Sequence, residues 1–435
     1  MARASDCSRL CPAPVGNRKR CGCVTKSKLD QLLPLAAWSN RALAKVPAPT
    51  LDPDRIEHYV VGRAGVPRVP GEHWRGPFRA LCADLERSAR LSPLGRMMAN
   101  GQLVGLLKAR CRAEQLLTRY PEIHDEPVRA PIIIMGPMRS GSTRVQRLLA
   151  CDPRLSATRL FETLFPVPHG RGDRRRVVAA AAVHASLRIL NPAVQQIHPS
   201  GPLRSDEEFG YLSFAFHSGQ FGVQWDVPDF IAGEARRDHE PVAAELRTLL
   251  QVNSWARGGA GARRPLLKCP AYSGMAEALL EVFPDARLIC LTRDPVKVVA
   301  SSASLVFQQR RIHSDEADPR RIGPEWLERT ATRERQLASA RRAHPDVPAF
   351  DLHYDEVSAD WVGEMHRLYR FLRMPLEREV LGRMERYLGG AKAHRGHRYR
   401  SEDFGLSDEA ILATMSNSGE GGAMALAPRR AVFAQ

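Results

Sequence analysis

The chain has 435 residues, of which 43% are hydrophobic and 6% aromatic, and it carries a formal net charge of +16. This length suits one large α/β domain with an appended part, or two domains, and the charge favours anionic partners such as nucleotides, acidic glycans or membrane surfaces. No long basic run indicates a nucleic-acid partner, and no apolar run reaches the roughly 18 residues that span a bilayer. We therefore expect a cytoplasmic protein without a transmembrane segment, for which peripheral membrane contact stays open.

The first residues are rich in Cys, Pro, Gly and basic side chains and show no periodicity. We predict a disordered extension over residues 1–35. The nine cysteines are odd in number, which argues against a complete disulfide framework. The spacing of the N-terminal four (Cys7, Cys11, Cys21 and Cys23) suits zinc poorly, so no metal site is predicted there.

Residues 36–130 follow a helical pattern. Apolar and charged residues alternate near a 3.6-residue period through Pro77 to Tyr120. We expect a helical layer that packs on the main domain and has a share in the acceptor pocket. At the other end of the sequence, the Gly- and Ala-rich residues 416–435 are predicted to form a flexible tail.

Short β-branched runs alternate with helical segments after Pro131. IIIMG is followed by a helix from Ser142, and RRPLLKCP and ARLICLTRDP flank another helix, as in a β-α-β unit. This alternation predicts an α/β domain over 131–415 with a mostly parallel sheet and helices on both faces.

The stretch IIIMGPMRSGSTRVQRLLA predicts a strand, a glycine-bounded loop and a helix. Free N–H groups and the helix dipole bind anions at such a helix start, and Arg139 adds a planar cationic fork. Ser142 stands where a nucleotide hydrolase of the P-loop type needs Lys, which argues against ATP or GTP hydrolysis.

Two further basic segments lie downstream. The strand Leu288 to Leu291 leads to Arg293 at the predicted carboxyl edge of the sheet, and Ser301 follows two helical turns later. Lys268 ends the preceding strand. A cationic loop over Ala391 to Leu406 contains Lys392, His394, Arg395, Gly396 and His397.

The segment GPMRSGSTRVQRLLACDP resembles the 5'-phosphosulfate loop of bacterial sulfotransferases that use PAPS (3'-phosphoadenosine-5'-phosphosulfate). The resemblance extends from Ser39 to Leu406 and implies a P-loop-like three-layer sandwich with an N-terminal helical layer. It implies that the 5'-phosphosulfate is held by Gly136, Arg139, Ser140, Gly141, Ser142 and Thr143. It further implies that Arg293 and Ser301 hold the 3'-phosphate, that Lys268 faces the cleft, and that Arg395, Gly396 and His397 cover the nucleotide.

The resemblance implies transfer of a sulfuryl group by in-line displacement, without a required metal, and release of the product PAP. Arg139 and Lys268 are expected to stabilise charge in the transition state. The acceptor is expected to be a hydroxyl or amine of a small molecule, lipid or glycan, and it needs a base. Glu162, in RLFETLFPVP, is the favoured base, with Glu207 and His198 as alternatives.

Two other functions stay open from the residues alone. A P-loop kinase or NTPase would need a lysine at position 142 and a metal-holding Asp that ends a strand. The sequence has Ser142 there, and its best strand end gives Arg293 before Asp294. A non-catalytic basic protein that binds nucleotides or glycans would leave the two phosphate motifs unexplained. The oligomeric state is not predicted.

Overall fold

The computed structural model describes residues 34–197, 199–259, 263–390 and 399–416. The predicted N-terminal extension, with its four cysteines, and the predicted tail lie almost entirely outside the described residues. None of the described helices is both long and apolar enough to cross a membrane.

A five-stranded sheet forms the centre of the molecule, with all strands parallel in the order β2-β3-β1-β4-β5. The strands are β1 (Ile132–Met135), β2 (Leu155–Ala157), β3 (Arg264–Lys268), β4 (Arg287–Thr292) and β5 (Ala349–His353). Strand β1 is buried at all four positions, as expected for a central strand that helices cover on both faces. The predicted α/β class with a mostly parallel sheet is confirmed.

The N-terminal layer contains α1 (Pro34–Leu43), α2 (Pro53–Ala64), α3 (Arg75–Arg87), α4 (Pro93–Arg119) and a 3₁₀ helix (Pro121–Asp125). Asp52 and Ser92 cap α2 and α4 by accepting hydrogen bonds from Arg55 N and Gly95 N, and a proline follows each cap. The helices of this layer pack around an apolar cluster that includes Trp74. Helices later in the chain also contribute side chains to this cluster. The predicted helical layer is therefore present and packs on the main domain.

The helices between β1 and β3 are α5 (Ser142–Leu149), α6 (Leu160–Leu164), α7 (Arg175–Leu190), α8 (Pro192–Ile197), α9 (Phe209–Phe214), α10 (Ser218–Gln224), α11 (Pro228–Glu234) and α12 (Glu240–Ala256). After β3 come a 3₁₀ helix (Pro270–Met275), α13 (Ala276–Val282), α14 (Pro295–His313), α15 (Pro319–Ala343), α16 (Tyr354–Ala359), α17 (Trp361–Phe371), α18 (Arg378–Gly390), a 3₁₀ helix (Ser401–Phe404) and α19 (Asp408–Ser416).

Two apolar clusters cover the two faces of the sheet. One joins the sheet to α12, α13 and α15, and the other joins it to α5, α17 and α18. Because all five strands are parallel, their carboxyl ends share one edge. This edge carries the loop after β1, Lys268 at the end of β3, Arg293 after β4 and Tyr354 after β5.

Candidate active site

The loop between β1 and α5 depends on two glycines. Gly136 and Gly141 have φ values of 120° and 93°, which side chains with a Cβ rarely adopt. A Cβ on Gly136 would collide with the carbonyl of Leu291, and one on Gly141 would lie 2.5 Å from the ring of Tyr354. Arg139 also has a positive φ, of 68°, which is a strained conformation for a non-glycine residue and is typical of functional loops.

Polar groups of this loop point into the protein without a protein partner. The Ser140 side chain is fully buried, and its Oγ makes no hydrogen bond to any described residue. The N–H groups of Ser142 and Thr143 open helix α5, where no preceding turn accepts from them. A loop of this kind supplies several donors to a single anion.

The two arginines predicted from separate motifs meet at this loop. Arg293 Nη1 donates a hydrogen bond of 2.8 Å to the carbonyl of Arg139, and Arg139 Nε donates one of 3.1 Å to Ser301 Oγ. Burial is the main cause that lowers the pKa of Arg139, with the Arg293 charge acting in the same direction. Two close cationic groups that are partly removed from water form a strong site for an anion.

Tyr354 is a site residue that the sequence interpretation missed. Its ring lies 4.0 Å from the guanidinium carbon of Arg293 and also packs against Gly141. Such cation–π packing fixes the plane of the arginine. The signal in the sequence was its position directly after β5, at the same sheet edge as the other site residues.

Lys268 supplies the ammonium group that the loop itself lacks. Its side chain is 1% exposed, and Nζ donates hydrogen bonds of 3.1 Å to Thr143 Oγ1 and 2.5 Å to Glu207 Oε1. An ammonium group has three donors, so one is left for a ligand. Glu208 holds the backbone of this lysine, because its Oε2 accepts from Lys268 N at 2.8 Å and from Tyr272 OH at 3.0 Å.

Glu162, the favoured base of the sequence analysis, is not among the residues that line the cavity described below. Its side chain is fully buried, and both of its oxygens accept hydrogen bonds from Arg257. Glu162 Oε2 also accepts from Arg159 N at 2.8 Å, which closes the capping box of α6. A carboxylate tied in this way has a structural role and no access to an acceptor.

Four of the predicted site residues lie outside the described residues. These are His198, Arg395, Gly396 and His397, together with Lys392 and His394 of the same basic segment. Their predicted roles stay predictions.

A cavity of about 2240 Å³ opens from the loop. One end is polar and is lined by Arg139, Ser142, Thr143, Glu207 and Arg293. The other walls come mainly from α4, α6–α10 and α14, and they mix apolar side chains with polar ones such as Arg112, Gln224 and His313. Asp206 and Glu207 are the acidic residues among the described lining residues, and only Glu207 bonds Lys268. Glu207 therefore lies beside the loop and stays a candidate base.

Helix α4 of the N-terminal layer forms one wall of the cavity through Gly101 and Gly105. Apart from the backbone of α4, no described atom lies within 4 Å of the place where a Cβ on either glycine would stand. Glycine in a helix interior costs about 0.5–1 kcal/mol relative to alanine, and here it widens the cavity. The helical layer thus contributes to the cavity wall, and its share in the acceptor pocket stays a prediction.

One group of three side chains among the described residues has the geometry to hold a metal ion. It consists of His217, Glu234 and His239, and none of the three lines the cavity. Arg237 lies 3.5 Å from Glu234, which places a competing cation at this cluster.

The comparisons with known proteins agree on the family. The sulfotransferase Stf3 of Mycobacterium bovis, named as an omega-hydroxy-beta-dihydromenaquinone-9 sulfotransferase, is 24% identical over 294 residues, covering 65% of this chain and 72% of its own. The protein of the same name from Mycobacterium tuberculosis aligns equally well. Crystal structures of the sulfotransferases STF1 from M. tuberculosis and STF9 from Mycobacterium avium superpose with TM-scores of 0.73 and 0.74 at 22% identity.

Both superpositions cover 84% of this chain, with 98% of STF1 and 95% of STF9, and so confirm the predicted fold. The model of the sulfotransferase family matches residues 131–378, which is more than half of the chain and contains both arginine motifs. The protein therefore belongs to the sulfotransferase family, as its loop sequence suggested, and is an enzyme of sulfuryl transfer.

Proposed function

We infer that this enzyme takes the sulfuryl group from PAPS and transfers it to a hydroxyl on a large, mainly apolar acceptor. The observation that carries the donor assignment is the meeting of Arg139, Arg293 and Ser301 at one loop. PAPS has anionic groups at both ends of its ribose, and the site offers cationic groups from two different strands.

The residues present suit this donor. The buried, unpartnered Ser140 Oγ and the first N–H groups of α5 would receive the 5'-phosphosulfate. Arg293 Nε is also buried without a partner among the described residues, which leaves a donor for the 3'-phosphate beside Ser301. The resemblance of the loop to that of PAPS-dependent enzymes supports the same assignment.

The chain's own residues supply the needs of an in-line displacement. Lys268 lies beside Thr143 with one free donor, and it would stabilise the negative charge that grows on the leaving and transferring oxygens. Glu207 faces the cavity and would accept the proton of the acceptor hydroxyl. The ion pair between these two residues holds the buried Lys268 ammonium next to Glu207, which lines the cavity beside the loop.

The cavity supports an apolar acceptor over a glycan. Pockets for small ligands usually measure about 300–1,000 Å³, whereas this cavity of about 2240 Å³ has room for a nucleotide and a second large molecule. The lining includes the apolar side chains Met98, Leu106, Phe165, Val223 and Leu305. The mycobacterial relatives are named as sulfotransferases of an omega-hydroxylated dihydromenaquinone, which is an apolar molecule that carries a hydroxyl group.

The donor assignment is tested by thermal unfolding with PAP, and separately with ATP and Mg²⁺. PAP is expected to raise the unfolding temperature, because a ligand that binds only the folded state stabilises it. ATP with Mg²⁺ is expected to have little effect, and a chelator is expected to leave transfer from radiolabelled PAPS unchanged. Stabilisation by ATP with Mg²⁺ but not by PAP would instead support a P-loop kinase or NTPase reaction.

A further inference from the structure

The outward face of helix α7 is apolar where a surface helix is usually polar. Val178 is 70% and Ile189 60% exposed, and the exposed Ala182 and Ala185 lie between them at helical spacing. The opposite face of α7 is the anchored one: Ala180 is fully buried, and Arg176 donates to Asn253 Oδ1 at 2.8 Å. The outward face is therefore not the side by which α7 packs on the protein.

Apolar exposure continues next to α7. His184 contacts the carbonyl of Ser200 at 3.1 Å, and Leu203, just beyond, is 61% exposed. Helix α1 packs against α7 and carries an exposed tryptophan, Trp38. Tryptophan is enriched where proteins meet the interface of a bilayer.

The charge of this segment has one sign. Residues 174–205 contain five arginines and no Asp or Glu. Arg174, Arg175, Arg188 and Arg204 are exposed, and none is paired with a carboxylate of the described residues. Exposed arginines without acidic partners beside apolar side chains are complementary to an anionic lipid surface.

The inner face of the same helix is a wall of the cavity. Val183, His184 and Leu187 line it, as does Val194 of the following helix α8. The helix with the apolar, basic exterior therefore separates the cavity from the surroundings of the protein.

We propose that α7, with its basic flanks, docks on the surface of an anionic phospholipid bilayer and sets the cavity beside the lipid phase. The docking goes beyond the donor chemistry, and it explains how an apolar acceptor reaches the cavity without crossing water. The mode is interfacial: α7 lies on the membrane, with the outer side chains in the headgroup region.

The test is co-sedimentation of the full chain with vesicles, without PAPS or acceptor, so that it is independent of the proposed reaction. Vesicles of phosphatidylcholine mixed with phosphatidylglycerol are compared with phosphatidylcholine alone. The wild-type chain is expected to bind the anionic vesicles at least about tenfold better, and to lose this preference as salt is raised. Equal binding to both vesicles, or none to either, would overturn the proposal.

Two variants locate the contact. Val178→Asp with Ile189→Asp is expected to reduce the partition onto anionic vesicles about tenfold or more, as is Arg174→Glu with Arg175→Glu. The matched control is Tyr59→Asp with Leu412→Asp, which changes two exposed apolar residues elsewhere and should bind like wild type. Circular dichroism and a cooperative thermal unfolding transition report that each variant is folded, without reliance on PAP binding.

Wild-type-like vesicle binding by both α7 variants would refute the proposal. If wild type formed a dimer and did not bind vesicles, and if the α7 substitutions dissociated that dimer, the result would show instead that the face binds a second copy of the chain. Sedimentation velocity distinguishes that outcome.

Discussion

Arg293 Nη1 donates a hydrogen bond of 2.8 Å to the main-chain carbonyl of Arg139. The backbone of Arg139 turns through a left-handed conformation to present that carbonyl, while its side chain reaches Ser301. The two arginines come from the ends of neighbouring strands β1 and β4. They form one hydrogen-bonded unit, so a change in either is expected to disturb the position of the other.

Glu207→Gln is expected to lower turnover about 10²- to 10⁴-fold, the usual contribution of a positioned acid–base group. PAP affinity should stay near that of wild type, because the proposed role of Glu207 lies with the acceptor. Steady-state kinetics together with calorimetric titration of PAP measure the two effects.

Glu162→Gln is the contrasting variant. It leaves Arg257 without its buried carboxylate, so it is expected to lower the unfolding temperature, while the folded fraction keeps its turnover. If Glu162→Gln abolished turnover in protein that still bound PAP, and Glu207→Gln did not, the base assignment would return to Glu162.

Gly105→Leu tests the role of the helical layer in acceptor binding. The leucine would project into the cavity, where nothing now stands within 4 Å, and should raise KM for a large apolar acceptor about tenfold or more. Stability should be equal or higher, since glycine is the poorer helix former. Gly62→Leu on α2, where space is also open, is the control and should leave KM unchanged. An unchanged KM for Gly105→Leu would place the acceptor elsewhere.

Glu208 predicts a pH dependence of stability. Complete burial raises its pKa from 4.5 to about 7. Between these values the unfolded chain is ionised at this position while the folded chain keeps its proton, so the free energy of unfolding falls as pH rises through this window. The stabilising contribution is complete below the lower value and is lost above the upper one.

Glu208→Gln removes this titration and keeps an oxygen for Lys268 N and Tyr272 OH. From about pH 4 to about pH 8, its stability relative to wild type should rise by about 3 kcal/mol. Urea unfolding at several pH values measures this difference. A difference that is constant with pH would show that Glu208 ionises normally in the folded protein.

The sheet was largely readable from the sequence, because buried parallel strands are continuous apolar runs. IIIM and RLICLT stand out for this reason. Strand β2 was missed: it is an edge strand of only three residues, LSA, without such a run. The loop was equally predictable, because its two glycines, its arginine and its hydroxyl side chains all lie within residues 136–143.

Contacts between distant segments were not readable. The bond of Lys268 to Thr143, and the ring of Tyr354 on Arg293, join residues far apart in the chain. The pairing of Glu162 could not be predicted for the same reason. Its position after the first β-α unit suggested the site, but its partner Arg257 lies 95 residues further on.

Calorimetric titration of PAP into wild type, Arg139→Ala and Arg293→Ala tests the central claim, that both arginines hold one nucleotide. Each substitution is expected to weaken PAP binding about 100-fold, because each removes charge-assisted hydrogen bonds to a phosphate. Arg79→Ala, which removes an exposed arginine of the helical layer, is the matched control and should bind PAP like wild type. Wild-type affinity in folded Arg139→Ala and Arg293→Ala would contradict the account.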